Sequence, residues 1–320
     1  MRSRAAPREA FAHATAQPQM PVPLHRSARR DLLCALALLL LATGSGAAAV
    51  PARHTDTILH YAPNHNFGAR GLWRPAAAGF TLADVSNVRQ LARLPRGIKG
   101  LIWIGRCTGA TPQFIAAVTP FLARKQVFGF YLMDDPDPRI GLARCTPASL
   151  RAEADWIHQH APGTQTFIVL MNLATDAAPS FQGSYDPENS HIDLYGLDPY
   201  PCRSELGGCS ARMIERYVAA AEKWGIPQAR LVPVYQAFGG GRWSDGDGGA
   251  YTLPTAAQLR SMLAQWRALI PAPAFDYAYS WGRQRHDRAL ENAPQLQAVL
   301  RAHNLATASA PAAPHRRARP

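Results

Sequence analysis

Short apolar runs alternate along this chain with longer stretches in which apolar positions recur every three or four residues. That rhythm predicts parallel strands separated by helices. Strands are expected over Thr57 to Tyr61, Lys99 to Gly105, Val127 to Met133, Thr166 to Met171, Ile192 to Asp198, Arg230 to Gln236 and Phe275 to Trp281. Helices are expected between them. Thr81 caps one that carries Leu82, Val85, Val88, Leu91 and Leu94. Thr111-Pro112 opens the next, with Phe114, Ile115, Val118, Phe121 and Leu122 inward and Pro120 kinking or dividing it. Thr146-Pro147 opens a third through Ile157, Ser210 to Trp224 is a fourth, Thr255 and Gln258 make a capping box for a fifth, and Asn292 to His303 closes the series.

An eighth strand is sought in Phe67 to Trp73, where the pattern is irregular. Seven or eight βα units in about 250 residues have the size of a single α/β domain, a (β/α)8 barrel of the TIM type. An open doubly wound sheet would carry a Gly-rich phosphate turn after its first strand, and Ala62-Pro63-Asn64-His65-Asn66 is not one.

The barrel is assigned to residues 51–305. Before it, Arg29 and Arg30 precede an apolar run from Leu32 to Ala42 and a small-residue stretch from Gly44 to Ala49, the order of a secretory signal peptide. That run is too short to span a bilayer as a mature helix, so no stable membrane insertion is expected once it is removed. The paired arginines also resemble a twin-arginine signal, and Met20 is an alternative start. Residues 1–50 are therefore read as extension and signal, which makes the protein secreted or periplasmic. Residues 306–320, rich in Ala and Pro and basic at Arg316, Arg317 and Arg319, are read as a disordered tail.

Charge changes this picture little. The formal net charge of the 320-residue chain is +12, but Pro51 to Leu305 holds 25 Arg and Lys against 20 Asp and Glu, about +5 and scattered. Such a distribution argues against nucleic acid as a partner. Cysteine usage fits export. Cys34 leaves with the signal, and of the four that remain the short Cys202 to Cys209 loop pairs most readily, leaving Cys107 with Cys145. Their spacing matches no zinc pattern. His54, His60 and His65 form no helical His pair, and the Asp245 to Gly249 loop lacks the ligands of a calcium loop, so neither metal nor cofactor is expected. No Gly-x-Ser-x-Gly elbow of an α/β-hydrolase esterase is present.

The candidate chemistry sits at the strand ends. In a barrel the C-terminal tips converge on one mouth, and here they read Tyr61, Trp103, Tyr131 with Asp134 and Asp135, Asn172, Asp198 with Tyr200, Gln236, and Trp281. Aromatic rings stack on the C–H faces of sugars, amides and carboxylates bind hydroxyls, and paired carboxylates cleave glycosidic bonds. A carbohydrate partner is therefore expected.

In three places the chain resembles the secreted TIM-barrel glycoside hydrolases and their uncharacterised relatives: Phe130 to Pro136 (FYLMDDP), Gly196 to Pro201 (GLDPYP) and Tyr279 to Gly282 (YSWG). The resemblance covers Thr57 to His303 and implies a glycosidase. It also marks two departures: Asp135 stands where the acid Glu of that plan would be, and Gln236 where a nucleophilic Glu would be. The expected catalytic set is Asp135 as proton donor, its pKa raised by Asp134, and Asp198 as the base that activates water. Two strands apart, those carboxylates lie roughly 8 to 10 Å from each other, nearer the inverting separation than the retaining one. The alternative is a barrel that binds glycan without cleaving it.

Overall fold

The computed structural model describes residues 58–139, 145–243 and 249–308. The signal segment, the Asp245 to Gly248 stretch and residues 309–320 lie outside the described residues. Eight parallel strands close into a barrel: β1 (Leu59–Ala62), β2 (Leu82–Val85), β3 (Lys99–Trp103), β4 (Val127–Met133), β5 (Gln165–Val169), β6 (Leu194–Leu197), β7 (Leu231–Gln236) and β8 (Phe275–Tyr279). Each strand pairs with the next in sequence, and β8 returns to β1 through Tyr61 opposite Tyr277. This is the expected (β/α)8 architecture.

The eighth strand is not where the sequence pattern sought it. Phe67 and Trp73 form only an isolated antiparallel bridge, and the missing strand is β2, drawn from residues assigned to the helix after Thr81. Leu82 points into the barrel and Val85 into the shell, an alternation that a period of three absorbed because Val88, Leu91 and Leu94 continue it. The true helix start is Asn87, whose side chain accepts from Gln90 N at 3.1 Å, so α1 covers only Val88–Ala92.

The other helices begin where their caps predict. Thr111 caps α2 (Pro112–Val118) and Thr146 caps α3 (Pro147–His160), each with Pro in the first turn. Pro120 does end α2, and a short 3-10 turn at Thr119–Phe121 follows. Beyond the single turn α4 (Pro187–Ser190) lie α5 (Ala211–Lys223), α6 (Ala256–Leu269) with its Thr255–Gln258 capping box, and α7 (Pro294–Ala308). α7 runs three residues into the segment read as tail, and there Thr307 is buried against His60 at 2.9 Å. No helix among the described residues is long and apolar enough to cross a membrane.

Two layers of side chains hold the fold. One fills the barrel with Tyr61, Leu82, Leu101, Tyr131, Phe167, Val234 and Tyr277 among others; the second packs the outer wall against the helices through residues such as Phe114, Ile157, Ile214 and Trp266. Gly196 on β6 is required by the first layer, because a Cβ there would lie 2.8 Å from Val169 Cγ2 and 3.0 Å from Phe167 Cζ. Two disulfides, Cys107–Cys145 and Cys202–Cys209, join as the spacing predicts. The first ties the loop after β3 to the segment after β4, and the second closes a small antiparallel ribbon after β6.

Candidate functional site

The inward-facing positions of each strand run upward from the apolar barrel filling to a polar rim at the C-terminal end. On β2 the inward series Leu82, Asp84 ends in a carboxylate; on β4, Tyr131 is followed by Asp134 and Asp135; on β6, Gly196 is followed by Asp198. These acids act on one another. Asp135 and then Asp134 are the strongest charges felt by Asp198, and Asp134 reaches Tyr61, Tyr200, Tyr277 and Tyr279 across the mouth. The structure therefore gathers Asp134, Asp135 and Asp198 in one basin.

Their environments differ. Tyr131 donates its hydroxyl to Asp134 Oδ1 at 2.5 Å, which favours the charged form against the desolvation that raises that carboxyl. Asp198 is driven well above the usual carboxylate range, first by desolvation and then by repulsion from Asp135 and Asp134, while Tyr200 favours its anion. No hydrogen-bond donor among the described residues serves Asp135. Desolvation, then the charge of Asp134, pushes it up to about 8. Asp134 and Asp135 are flanked by protein yet exposed to solvent, so water contact moderates both shifts. Asp135 at φ 46° and Tyr200 at φ 34° both hold left-handed backbone, a conformation that bulky or branched side chains rarely accept and that gathers at functional sites.

Trp103 is 39% exposed at the tip of β3, its ring edge-on to Tyr131 at 4.8 Å between centroids. Tyr61 and Tyr131 are buried beneath the acids as floor, and Tyr200 packs against Phe238, Tyr251 and Tyr279 at the rim.

Three expected contact residues are occupied elsewhere. Gln236 is fully buried; its Oε1 accepts from Cys202 N at 2.7 Å and its Nε2 donates to the carbonyls of Cys202, Phe238 and Thr252, so it stitches the ribbon and the loop after β7 to the barrel. Asn172 accepts from Ala174 N and Ser180 N and donates to Tyr217 Oη, folding the loop after β5. Trp281 is 4% exposed and packs edge-on against Phe80 in the outer shell. Gln236 and Asn172 are thus engaged by loop groups, and Trp281 is buried with its indole Nε1 unpartnered among the described residues.

Sequence reasoning also missed residues. Asp84 was hidden by the misread helix; it is half-buried, accepts from Asn64 N at 3.1 Å, and is raised by desolvation. Leu82-Ala83-Asp84-Val85 running into the Ser86-Asn87 cap is the signal that would have found it. His60, Asp276 and His303 place donor atoms within 4.8 Å of one another, a grouping that sequence spacing did not show. Asp276 accepts from His60 Nδ1 at 2.8 Å, His303 Nε2 at 2.9 Å and Tyr235 Oη at 3.2 Å, so these groups satisfy one another between the barrel wall and α7, away from the mouth. Surface hollows of 620 Å³ beside Asp176 and Arg203 and of 510 Å³ beside Asn87 and Arg93 contain none of the four carboxylates; the mouth is marked by its chemistry rather than by its depth.

No family model matches this chain, and no curated protein matches it. Solved structures do match its fold. A plant class V chitinase mutant from Cycas revoluta in complex with (GlcNAc)3 is 12% identical, with 78% of this chain and 99% of that chain covered and a TM-score of 0.51. The chitinase-like agglutinin RobpsCRA from Robinia pseudoacacia is 11% identical over 76% of this chain and 98% of its own, with a TM-score of 0.45. A fungal endo-beta-N-acetylglucosaminidase of glycosyl hydrolase family 18 is 12% identical over 76% and 96%, with a TM-score of 0.43. At such identities the likeness is one of fold, and in fold the chain is a (β/α)8 barrel like that of the TIM-barrel glycoside hydrolases and their relatives.

Proposed function

We propose that this protein is an exported glycosidase that hydrolyses a poly- or oligosaccharide at the barrel mouth, with Asp135 as proton donor and Asp198 as the carboxylate that activates water. The observation that carries the proposal is that Asp135 and Asp198 share one solvent-open basin, where desolvation and the charge of Asp134 raise Asp135, and desolvation and the charges of Asp135 and Asp134 raise Asp198. No donor among the described residues stabilises the Asp135 anion, and in this proposal Asp135 holds the proton. Once it does, the strongest repulsion on Asp198 is gone, and Tyr200 remains to support the charge on Asp198. Asp135 then protonates the leaving oxygen as the C–O bond breaks, and Asp198 takes a proton from the water that attacks the anomeric carbon.

Asp134, fastened by Tyr131, is the fixed negative charge that tunes Asp135 and supports positive character in the sugar ring at the transition state. Trp103 offers an exposed ring face beside the acids, suited to a sugar unit. Two disulfides fit an oxidising compartment. Release of reducing ends from a glycan panel, compared between wild type and the Asp135→Asn and Asp198→Asn variants, tests the proposal; undiminished turnover in either variant refutes the role given to it. The second reading, a barrel that binds glycan without cleaving it, draws on Gln236, an amide on β7 committed to structure. Saccharide binding with no product from any glycan would establish that reading instead.

A further inference from the structure

We propose that the outer wall of the barrel carries a metal site, in which His60 Nδ1, the Asp276 carboxylate and His303 Nε2 hold one divalent transition ion of the zinc class and lock α7 to the barrel. Donor atoms of the three residues all lie within 4.8 Å of one another. The site is separate from the mouth and does not depend on the hydrolysis proposed there.

Rigid elements position all three ligands. His60 of β1 stands opposite Asp276 of β8 in the parallel ladder, and the flanking residues Tyr61, Phe275 and Tyr277 fill the barrel, so His60 and Asp276 both face outward. α7 lays His303 over them. Asp276 presents Oδ1 to His60 Nδ1 at 2.8 Å and Oδ2 to His303 Nε2 at 2.9 Å. Tetrahedral zinc, with nitrogen and oxygen donors at about 2.0–2.1 Å, sets neighbouring donors roughly 3.3 Å apart, so each contact opens by only about half an ångström. The ion takes the place of the protons that otherwise bridge these contacts. Burial would raise the Asp276 carboxyl, but His60 and His303 hold it below its usual range, so the anion that a metal requires is already formed. Two imidazoles and one carboxylate suit zinc and its neighbours rather than calcium or magnesium.

Two further observations fit an ion there. His60 Nε2 lies 2.9 Å from Thr307 Oγ1, which lies 2.9 Å from the His303 carbonyl. With Nδ1 on the metal, Nε2–H donates to Thr307 and the Thr307 hydroxyl donates to that carbonyl, the kind of outer partner that orients a ligating imidazole. A hollow of 380 Å³ between α6 and α7 has His303 in its wall and leaves that side chain 12% exposed, an entry for the ion and a place for a completing water. Arg260 and Arg267 share that wall and oppose a cation's approach, so the attraction must come from the ligands themselves.

The test uses the full-length protein, dialysed against a chelator and then titrated with Zn²⁺ alone. One tightly held ion per chain is expected, and free Zn²⁺ at about a hundredfold over its dissociation constant should raise the melting temperature by about 5 to 10 °C. His303→Gln, which keeps an N–H for Asp276, should lose most of that shift. Anomalous diffraction at the zinc edge, from crystals of wild type grown with Zn²⁺, should place the ion between His60, Asp276 and His303, and this locates it even if the variant fails to fold. No zinc retained, an unchanged melting temperature, a full shift in His303→Gln, or a peak only at the surface pairs His158–Asp193 and His191–Asp155 would overturn the proposal.

Discussion

Glu153 on α3 provides a perturbation whose size follows from the structure. Its carboxyl is fully buried; Oε1 accepts from Thr108 N at 2.7 Å, Oε2 has no partner, and Cys107 and Gly109 also direct backbone N–H groups toward it. The loop so held follows Trp103 and carries one half of the Cys107–Cys145 disulfide, so Glu153 anchors a wall of the mouth. Desolvation outweighs those donors and the nearby Arg106, moving the carboxyl from its ordinary 4.5 to about 7. Because the folded state binds this proton more tightly than the unfolded one, the associated stabilisation is full below pH 4.5 and is lost as pH rises through about 7. At about 1.4 kcal/mol per pH unit, the loss amounts to at most about 3 kcal/mol. Glu153→Gln keeps an acceptor for Thr108 and removes the titration. In urea unfolding between pH 5 and pH 8, wild type should lose up to about 3 kcal/mol relative to the variant, and the variant should be the more stable of the two at pH 8. Parallel stability curves over that interval would refute the reasoning.

Three further outcomes follow from named contacts. Asp276→Ala leaves His60, His303 and Tyr235 without their shared acceptor and should cost about 3 to 5 kcal/mol in urea unfolding at pH 7. His60 draws the Asp276 carboxyl below its usual range against the desolvation that opposes it, so this contribution is present above the unfolded carboxylate value and lost as pH falls, and the two proteins should converge in acid. Gln236→Leu should cost about 2 to 3 kcal/mol by thermal melting, because its partners on Cys202 and Thr252 lose their bonds; weakened saccharide binding with an unchanged melting temperature would mean that Gln236 contacts ligand after all. Tyr131→Phe removes the donor that favours charged Asp134, so the carboxyl titration of Asp134, followed by NMR, should move to higher pH, and a downward move would contradict the assignment.

Strand ends were legible in the sequence because an apolar run that stops at Asp-Asp-Pro or Asp-Pro-Tyr marks both a strand and its C-terminal tip. Thr-Pro caps and the seven-residue separation of Cys202 and Cys209 were legible for the same reason: each is decided by local geometry. β2 was not, since Leu82 and Val85 satisfy a helical and an alternating pattern equally, and only the barrel's demand for an eighth strand resolves them. Gln236, Asn172 and Trp281 sit at the tips as expected but are committed by loops that fold back on them, and no one-dimensional pattern shows which side of a tip a side chain serves. His60, Asp276 and His303 come together only through the pairing of β1 with β8 and the docking of α7.

The proposed hydrolysis depends on Asp135 delivering a proton to the leaving oxygen. That proton delivery is decided by comparing Asp135→Asn with wild type on one sugar bearing either a natural sugar leaving group or nitrophenol, which departs without protonation. The variant should lose turnover of the first by about a hundredfold or more while keeping most of its activity on the second. Equal losses on both, or none on either, would contradict it.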